Sequence, residues 1–215
     1  MMSGERALMA AEQAGIPVSR ETAERLEIYV ALLQRWNPVK NLVSSHTLGE
    51  VWERHVTDSL QLVRLAPGAK VWVDMGSGGG LPALVIAAVL ADVPGAEVHC
   101  IESKLGKAAF LLEAARQMKV PVKVWARRIE DVVGHDIVSA DVVCARALAP
   151  LKDLLRLANP LLKSGAIGIF PKGQDVASEL TDAAIYWKFN PRSVPSVTDP
   201  KGRIVVIQGV ERRAD

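Results

Sequence analysis

Three glycines at alternate positions follow a short apolar run, and their spacing suits the binding of a ligand by the main chain. They are Gly76, Gly78 and Gly80, within the segment Val71–Pro82. Glycine takes left-handed backbone torsions and lets the main chain approach a ligand where a Cβ would clash. Because an apolar helical pattern follows at once, the first amides of that helix would also face the ligand. We expect a strand that runs into a ligand-binding loop.

The spacing of these glycines separates two kinds of nucleotide-like ligand. A dinucleotide-binding loop reads Gly-x-Gly-x-x-Gly, and its third glycine would fall where this chain has Leu81. A methionine-derived cofactor carries no pyrophosphate, so it needs close backbone approach and a carboxylate for its ammonium group. Asp74, at the end of the apolar run, would supply that carboxylate. The alternative is a plain glycine-rich turn in which Asp74 caps the following helix.

A second carboxylate lies at the spacing expected of a ribose ligand. Glu102 follows the apolar run 96–101 and comes 22 residues after Gly80. In doubly wound sheets the ribose-binding acid lies ~20 residues beyond the glycine loop. We therefore expect Glu102 to accept hydrogen bonds from ribose hydroxyls. An exposed cap for a helix that begins near Lys104 is the alternative.

Charged side chains also follow the later predicted strands. The segment 127–130 comes after the third strand and would border an adenine ring or form a surface turn. Arg146 comes after the fourth strand, where it would pair with a carboxylate or phosphate or form a structural ion pair. Lys172 follows the fifth strand. Because ligands of doubly wound sheets collect beyond the carboxyl ends of the strands, all three positions are candidates for ligand contact.

Helices are predicted before the first strand. Residues 4–14 and 19–36 have helical periodicity, and Asn37-Pro38 is predicted to break the second helix. A third helix is predicted from about residue 48 to 65. His55 and Asp58 share a face of it because they are three residues apart, and this spacing alone favours a solvent-exposed ion pair.

Strands and helices alternate through the rest of the chain. Predicted strands after the first are 96–101, 122–125, 141–144 and 166–170, and the last two, 188–194 and 204–208, form a closing antiparallel pair. Five strand–helix units with such a tail predict an α/β fold, the doubly wound Rossmann-like sheet of class I S-adenosylmethionine-dependent methyltransferases. We expect residues 1–66 to form an N-terminal helical extension packed on the core and residues 67–215 a methyltransferase domain, together one structural unit.

Composition narrows the functional classes. A chain of 215 residues with 49% apolar content buries one substantial core. Its longest apolar run, 81–90, is half of the roughly 20 residues that a membrane-spanning helix needs, and the first residues lack a signal-peptide pattern, so we expect a cytoplasmic protein. A net charge of +2 without a basic tail does not indicate nucleic-acid binding, although a local basic patch stays open.

The cysteines and histidines predict neither a disulfide nor a metal site. Cys100 and Cys144 each lie in an apolar strand, and with the first strand between theirs they would be roughly 9–10 Å apart, too far to bridge. The four histidines show no ligand spacing. We therefore predict buried free thiols and no metal.

Motifs spread over nearly the whole chain carry a family resemblance. They are Trp36-Asn37, Asn41-Leu42 with Ser44, Arg54-His55, Asp58-Ser59, the segment Asp74 to Pro82, Glu102-Ser103, Arg128-Ile129-Glu130, Arg146-Ala147 and Lys172-Gly173-Gln174. With them the sequence resembles the bacterial small-subunit rRNA guanine-N7 methyltransferases, also called glucose-inhibited division protein B. The sequence departs from the family at Ala83, where a glycine is usual.

The resemblance implies S-adenosylmethionine as the cofactor and a guanosine in the 530-loop region of 16S rRNA as the acceptor. It also reverses the reading of His55 and Asp58, because it places their helix on the substrate-facing side. The implied partner is 16S rRNA, the small ribosomal subunit or an assembly intermediate, with the protein a monomer. The cofactor-binding residues that follow from the loop and the resemblance are Asp74, Gly76, Gly78, Leu81, Glu102, Ile129, Glu130 and Arg146, and the RNA-binding candidates are Asn41, Arg54, His55, Arg127, Arg128 and Lys172.

The residues after the fourth strand bear on the chemistry. Methylation of an exocyclic amine uses an Asn/Asp-Pro-Pro-aromatic element there, whereas this chain has 145–148 as Ala-Arg-Ala-Leu. Methylation of pyrimidine C5 needs a reactive cysteine, and the run around Cys144 is too apolar to favour a thiolate. Guanine N7 carries a lone pair and no proton, so alignment replaces a general base. We expect Arg146 or Lys172 to act in catalysis by donating hydrogen bonds to O6.

Two other functions fit parts of the sequence. A methyltransferase of the same fold that acts on a small molecule or a protein would share the cofactor residues. An NAD-binding oxidoreductase, or a nucleotide sensor without catalysis, would share only the glycine loop. Binding of S-adenosylmethionine against NADH separates the latter two from a methyltransferase.

Overall fold

The computed structural model describes residues 4–213, which form a seven-stranded sheet covered by helices on both faces. The helices are α1 (Glu5–Ala14), α2 (Arg20–Lys40), α3 (Thr57–Val63), α4 (Ala83–Leu90), α5 (Leu105–Met118), α6 (Leu151–Lys163) and α7 (Val176–Tyr186). The strands are β1 (Val71–Met75), β2 (Glu97–Ile101), β3 (Val122–Trp125), β4 (Val142–Cys144), β5 (Ile167–Lys172), β6 (Trp187–Pro195) and β7 (Arg203–Arg212). Within the described range, no helix has the length and apolar character that a membrane crossing requires.

The strand order is β3-β2-β1-β4-β5-β7-β6. Strands β1 to β5 are parallel, whereas β7 runs antiparallel to both β5 and β6. The predicted doubly wound sheet with a closing antiparallel pair is therefore confirmed. Asp74 pairs in register with Cys100 on one side and Cys144 on the other, so the two thiols are two strands apart, and both are free and buried.

Each face of the sheet has its own core. On one face the N-terminal helices pack with α4 and α5, and the core there includes Leu26, Tyr29, Leu60 and Phe110. On the other face α6 and α7 pack over the sheet. Burial of such side chains stabilises the fold by roughly 1.5–3 kcal/mol each. The hydroxyl of Tyr29 also donates to the carbonyl of Gly79 at 2.7 Å, which ties α2 to the glycine loop.

The prediction that Asn37-Pro38 breaks the second helix is wrong, because α2 continues through Pro38 to Lys40. A proline inside a helix removes one backbone hydrogen bond and costs about 3 kcal/mol. The end of α2 is well capped, which offsets part of this cost: Asn41 takes a left-handed conformation (φ 47°) and donates to the carbonyl of Asn37 at 2.9 Å. The side chain of Asn37 accepts from the amide of Val43 at 2.9 Å.

The predicted third helix is a continuous helical segment of three geometries. A 3₁₀ turn (Ser45–Glu50) and a π turn (Trp52–Val56) lead into α3. His55 lies in the π turn, a geometry that is often found at functional sites because it redirects side chains from the regular helical positions.

Candidate active site

The glycine loop leaves β1 and folds back over the end of β2. Gly76, Gly78 and Gly80 all have positive φ angles, of 73°, 52° and 83°. The amides of Gly76 and Ser77 donate to the carbonyl of Ile101 at 2.9 and 3.0 Å. A Cβ on Gly76 would lie 2.7 Å from a methyl carbon of Leu148. The positive φ angles therefore favour glycine at all three positions, and an added Cβ at Gly76 would also displace the exposed side chain of Leu148.

A cavity of about 720 Å³ opens beside the loop, within the size range of cofactor sites. It unites residues from the ends of β1, β2, β3 and β4. Seven of the eight predicted cofactor residues line it: Gly76, Gly78, Leu81, Glu102, Ile129, Glu130 and Arg146. The strand-end argument therefore located the walls of one site, and we name this space the first cavity.

Glu102 is buried at the wall of the first cavity, so the alternative of an exposed helix cap is wrong. Its carboxylate lines the first cavity, yet it also accepts the amide of Gly78 at 3.0 Å and the amide of Lys104 at 2.8 Å. The second bond fixes Lys104, the residue just before α5, although it is not a side-chain cap of that helix. Each oxygen retains a further lone pair, so the group is oriented and still able to accept hydroxyl donors.

The expectation that Asp74 faces the cofactor is corrected by the structure, because Asp74 is not in the wall of the first cavity. Its side chain lies beneath the loop and is 1% exposed. Cys144 Sγ lies 3.8 Å from Oδ1, and the amide of Ala83, the first residue of α4, lies near the carboxylate. Asp74 therefore lies beside the start of α4, but no side chain among residues 4–213 caps that helix through a hydrogen bond.

Burial raises the pKa of Asp74 to about 7, against the smaller opposing effect of hydrogen bonds from Ser77 and Ala83. The other carboxylate oxygen, Oδ2, has no hydrogen-bond partner among residues 4–213. An unpartnered buried oxygen favours the protonated acid, since the charged form would be poorly solvated there. The loop therefore rests on a carboxyl group that titrates near neutrality.

Replacing Asp74 with asparagine is expected to remove a pH dependence of folding stability. Between about pH 4 and 7 the folded protein holds a proton on Asp74 that the unfolded chain has lost, so the wild-type free energy of unfolding falls as the pH rises. Relative to wild type, Asp74→Asn should gain up to about 4 kcal/mol across this window. Urea unfolding from pH 4 to 8 measures it. The exposed Asp182→Asn is the control, and a pH-independent difference for Asp74→Asn would contradict the assignment.

A second cavity of about 540 Å³ adjoins the first. The two share the wall formed by residues 146–149. The second cavity is lined on one side by Arg54 and Asp58 of the N-terminal helices and on the other by Lys172 and by the loop between β6 and β7. Two ligands, one bound in each cavity, would meet at Arg146.

Arg146 is held at this junction by the N-terminal helices. Its Nε lies 3.1 Å from Oδ2 of Asp58, and Nη2 donates to the carbonyl of Arg54 at 3.2 Å and to Nδ1 of His55 at 2.9 Å. The predicted solvent-exposed pair of His55 and Asp58 is therefore wrong, since both residues orient Arg146. A guanidinium has five N–H donors, so the two on Nη1 remain without a partner among residues 4–213.

His55 is neutral in this network. Burial, reinforced by the charges of Arg146 and Arg54, lowers its pKa to about 4. Neutral imidazole accepts at one nitrogen and donates at the other, so acceptance of Arg146 at Nδ1 assigns the proton to Nε2, 2.9 Å from the Thr47 hydroxyl. At neutral pH the histidine therefore adds no charge beside Arg146.

Lys172 is not the free cation that its position after β5 led us to expect. Its side chain is 8% exposed, pairs with Glu179 at 2.7 Å and donates to the carbonyl of Ala149 at 2.8 Å. It lines the second cavity and not the first. Its positive charge is therefore paired within the protein, and its ammonium group holds the loop that follows β4 in place.

The RNA-binding candidates do not form one cluster. Arg127 and Arg128 lie in the wall of the first cavity, where Arg127 pairs with Asp136 at 2.7 Å. Arg54 lies at the second cavity. Asn41 is exposed at the end of α2 and belongs to neither wall.

Sequence reasoning missed the loop between β6 and β7. Thr198, Asp199 and Arg203 line the second cavity. The signal was present in the closing antiparallel pair, because Lys172 and Arg203 are register partners across β5 and β7. An antiparallel β7 must begin at the edge where β5 ends, so its preceding loop reaches the site.

Among the described residues, no group of three His, Cys, Asp or Glu side chains could hold a metal ion.

Solved structures with a similar fold include the O-methyltransferase TomG of Streptomyces achromogenes, with a TM-score of 0.57 at 15% identity over 97% of this chain and 100% of that one. A methyltransferase of Aquifex aeolicus gives a TM-score of 0.56 at 15% identity over 80% and 97%. The chain thus has the fold of class I S-adenosylmethionine-dependent methyltransferases.

The sequence matches a more specific group. The model of the family described as rRNA small subunit methyltransferase G (GidB) matches residues 22–205. A ribosomal RNA small subunit methyltransferase G of Methylorubrum populi is 51% identical over 195 residues, covering 91% of this chain and 92% of that protein. One of a Bradyrhizobium species is 52% identical over 203 residues, covering 94% and 91%. The chain belongs to this family, which confirms the resemblance and the predicted cofactor.

Proposed function

We propose that this protein transfers the methyl group of S-adenosylmethionine to N7 of a guanosine in 16S rRNA. The observation that carries the proposal is the junction of the two cavities at Arg146, whose Nη1 donors face no partner among residues 4–213. The first cavity suits the cofactor. The second cavity would take an unstacked base, because enzymes that modify a base extract it from its stack.

Alignment would supply most of the catalysis. S-adenosylmethionine, when bound, provides an electrophilic methyl group on a sulfonium. N7 needs no proton removed, so the residues have to hold the base at near-attack distance. Arg146 would donate to O6, beside N7, and fix the rotation of the base. Because Asp58 pairs with Arg146, this donor would not strongly oppose the positive charge that guanine acquires on methylation.

The cofactor contacts remain part of the proposal. The glycine loop, Leu81, Ile129 and Glu130 would surround the cofactor, and Glu102 would accept the ribose hydroxyls. Asp74 would act through the loop and α4 and not by direct contact, since it lies outside the cavity wall.

Removal of the Glu102 carboxylate is expected to weaken cofactor binding. Hydrogen bonds to a charged group contribute about 1.5–3 kcal/mol, so Glu102→Ala should raise the Kd for S-adenosylmethionine roughly 10- to 100-fold. Calorimetry measures it, and thermal unfolding checks that the loop and α5 stay folded. Glu97→Ala, at the other end of β2, is the matched control and should bind normally. An unchanged Kd in the Glu102 variant would remove the ribose assignment.

We propose that rRNA is held by the exposed cations at the two cavity rims. Arg54, Arg127 and Arg128 are exposed and can reach phosphates, and Asn41 is an exposed candidate outside the two cavity walls. His55 and Lys172 would act indirectly, because they hold Arg146 and the loop after β4. Charge reversal at Arg54 and Arg128 should weaken RNA binding and lower its salt dependence, whereas Lys163→Glu at the far end of α6 should not. If the RNA affinity of all three variants depends equally on salt concentration, the proposed RNA-binding surface is wrong.

The activity itself has a direct test. Purified protein with methyl-labelled S-adenosylmethionine should label small ribosomal subunits or their RNA, and mapping should place N7-methylguanosine at one position. Transfer to small molecules or proteins alone would overturn the proposal.

A protein with this substrate would act in the cytoplasm. We also propose a monomer, and we propose that residues 1–66, of which the structure describes residues from 4 onward, form an extension packed on the domain 67–215, since the N-terminal helices share one core with α4 and α5.

A further inference from the structure

Three carboxylates line the second cavity, and they differ in how their charge is compensated. Asp58 pairs with Arg146 and accepts from Gln61 at 2.8 Å and from Thr198 at 3.0 Å. Glu179 pairs with Lys172 at 2.7 Å. Asp199 has no cationic partner among residues 4–213 and accepts only the amide of Lys201, at 2.9 Å. Asp199 is therefore the carboxylate with capacity for a ligand.

The loop that carries Asp199 is fastened to α3. The amide of Val197 donates to the side-chain oxygen of Gln61 at 3.0 Å, and the hydroxyl of Thr198 donates to Asp58 at 3.0 Å. Within the loop, the amide of Gly202 donates to the carbonyl of Asp199 at 2.9 Å. Asp58 thus orients two elements, Arg146 on one wall and the Asp199 loop on the other. The position of the Asp199 loop relative to Arg146 is therefore fixed by α3.

We propose that Asp199 recognises the N1–H and N2–H₂ edge of the target guanine. The inference rests on the proposed function and deepens it. With N7 turned to the first cavity and O6 at Arg146, the edge that carries N1 and N2 faces away from the junction, toward the loop between β6 and β7. A carboxylate accepts both of those donors in parallel, as it does from a guanidinium. Adenine presents an acceptor at N1 there and is repelled.

The same contact favours the methylated product. Methylation at N7 places a positive charge on the purine and makes N1–H a stronger donor. A hydrogen bond from N1–H to a carboxylate therefore strengthens as the methyl group arrives. An interaction that is stronger in the transition state than in the ground state accelerates the reaction. Asp199 provides specificity and charge compensation in one residue.

The test pairs a protein change with a base change. Small subunits are reconstituted with guanosine or inosine, which lacks the N2 amino group, at the methylated position. Wild-type kcat/KM should fall roughly 10- to 100-fold on inosine, and Asp199→Asn should fall by a similar factor on guanosine. On inosine the Asn variant should lose little more, since the partner of N2 is already gone. Asp199→Ala, which also removes the acceptor for N1–H, should lose further activity on inosine, but less than it loses on guanosine.

The controls separate this inference from the proposed function. Asp182→Asn, exposed on α7, should retain full activity on both substrates, and the Kd for S-adenosylmethionine should be unchanged in every variant. Additive losses for Asp199 variants and inosine would overturn the role of Asp199 while leaving guanine N7 methylation intact. Absence of N7-methylguanosine from wild-type reactions on guanosine would instead overturn the proposed function.

Discussion

Replacing Arg146 with alanine is expected to lower kcat for methyl transfer by about 10²–10³-fold, while the Kd for S-adenosylmethionine changes by less than about tenfold. The guanidinium lies where the two cavities meet and has two N–H donors without a partner among residues 4–213. Without it the base would rotate and N7 would leave the line of attack. Because the cofactor has several other contacts in the first cavity, the loss should fall mainly on turnover at saturating cofactor.

The alanine variant also leaves a partly buried carboxylate unpaired, since Asp58 is 13% exposed. Loss of one partner of such a pair is destabilising, so stability has to be separated from catalysis. The double variant Asp58→Asn with Arg146→Ala removes the uncompensated charge and should recover stability without recovering kcat. Unchanged turnover of Arg146→Ala at saturating cofactor would exclude a role of this residue toward the acceptor.

The candidate site was predictable where it depends on the parallel strands. The carboxyl ends of β1 to β4 meet at one edge of the sheet, so Gly76, Glu102, Ile129 and Arg146 could be placed together from their positions after apolar runs. Such runs are recognisable without knowledge of tertiary contacts. The family came from the resemblance carried by motifs over nearly the whole chain, and the family and the cofactor that it implies are confirmed.

The burial of Asp74 was predictable from the alternation of side chains along β1. Side chains alternate along a strand, so Asp74 lies on the same face as Trp72. That face packs against α4 and the N-terminal helices, and Trp72 is fully buried there. The alternation therefore predicts a carboxyl group beneath the loop, whereas position at the strand end predicted contact with the cofactor.

Other features depend on pairings that local sequence does not determine. Whether Lys172 is free depends on Glu179, which comes from α7. Whether His55 and Asp58 are exposed depends on Arg146, roughly 90 positions later in the chain. The low helix propensity of proline also predicted too early an end for α2, because the capping of the last turn at Asn41 offsets part of the cost of Pro38.

Substitution of Gly80 by alanine is expected to destabilise the fold by about 2–4 kcal/mol. Gly80 has a φ of 83°, a conformation that costs an L-residue about 1 kcal/mol. An added Cβ would also lie 2.7 Å from Cγ of Leu84 and 3.2 Å from a methyl of Leu111. Both leucines are fully buried, so neither can move aside without disturbing the core between α4 and α5.

Gly95→Ala separates strain from clash in this prediction. Gly95 has nearly the same φ, 79°, and nothing lies within 4 Å of an added Cβ. Urea unfolding should show a loss of about 1 kcal/mol for Gly95→Ala and two to four times that for Gly80→Ala. Equal losses would mean that backbone strain alone decides the requirement. A larger loss at Gly80 would show that this glycine lets α4 and α5 pack closely beneath the ligand loop, and a cofactor-binding defect would then follow from a displaced helix.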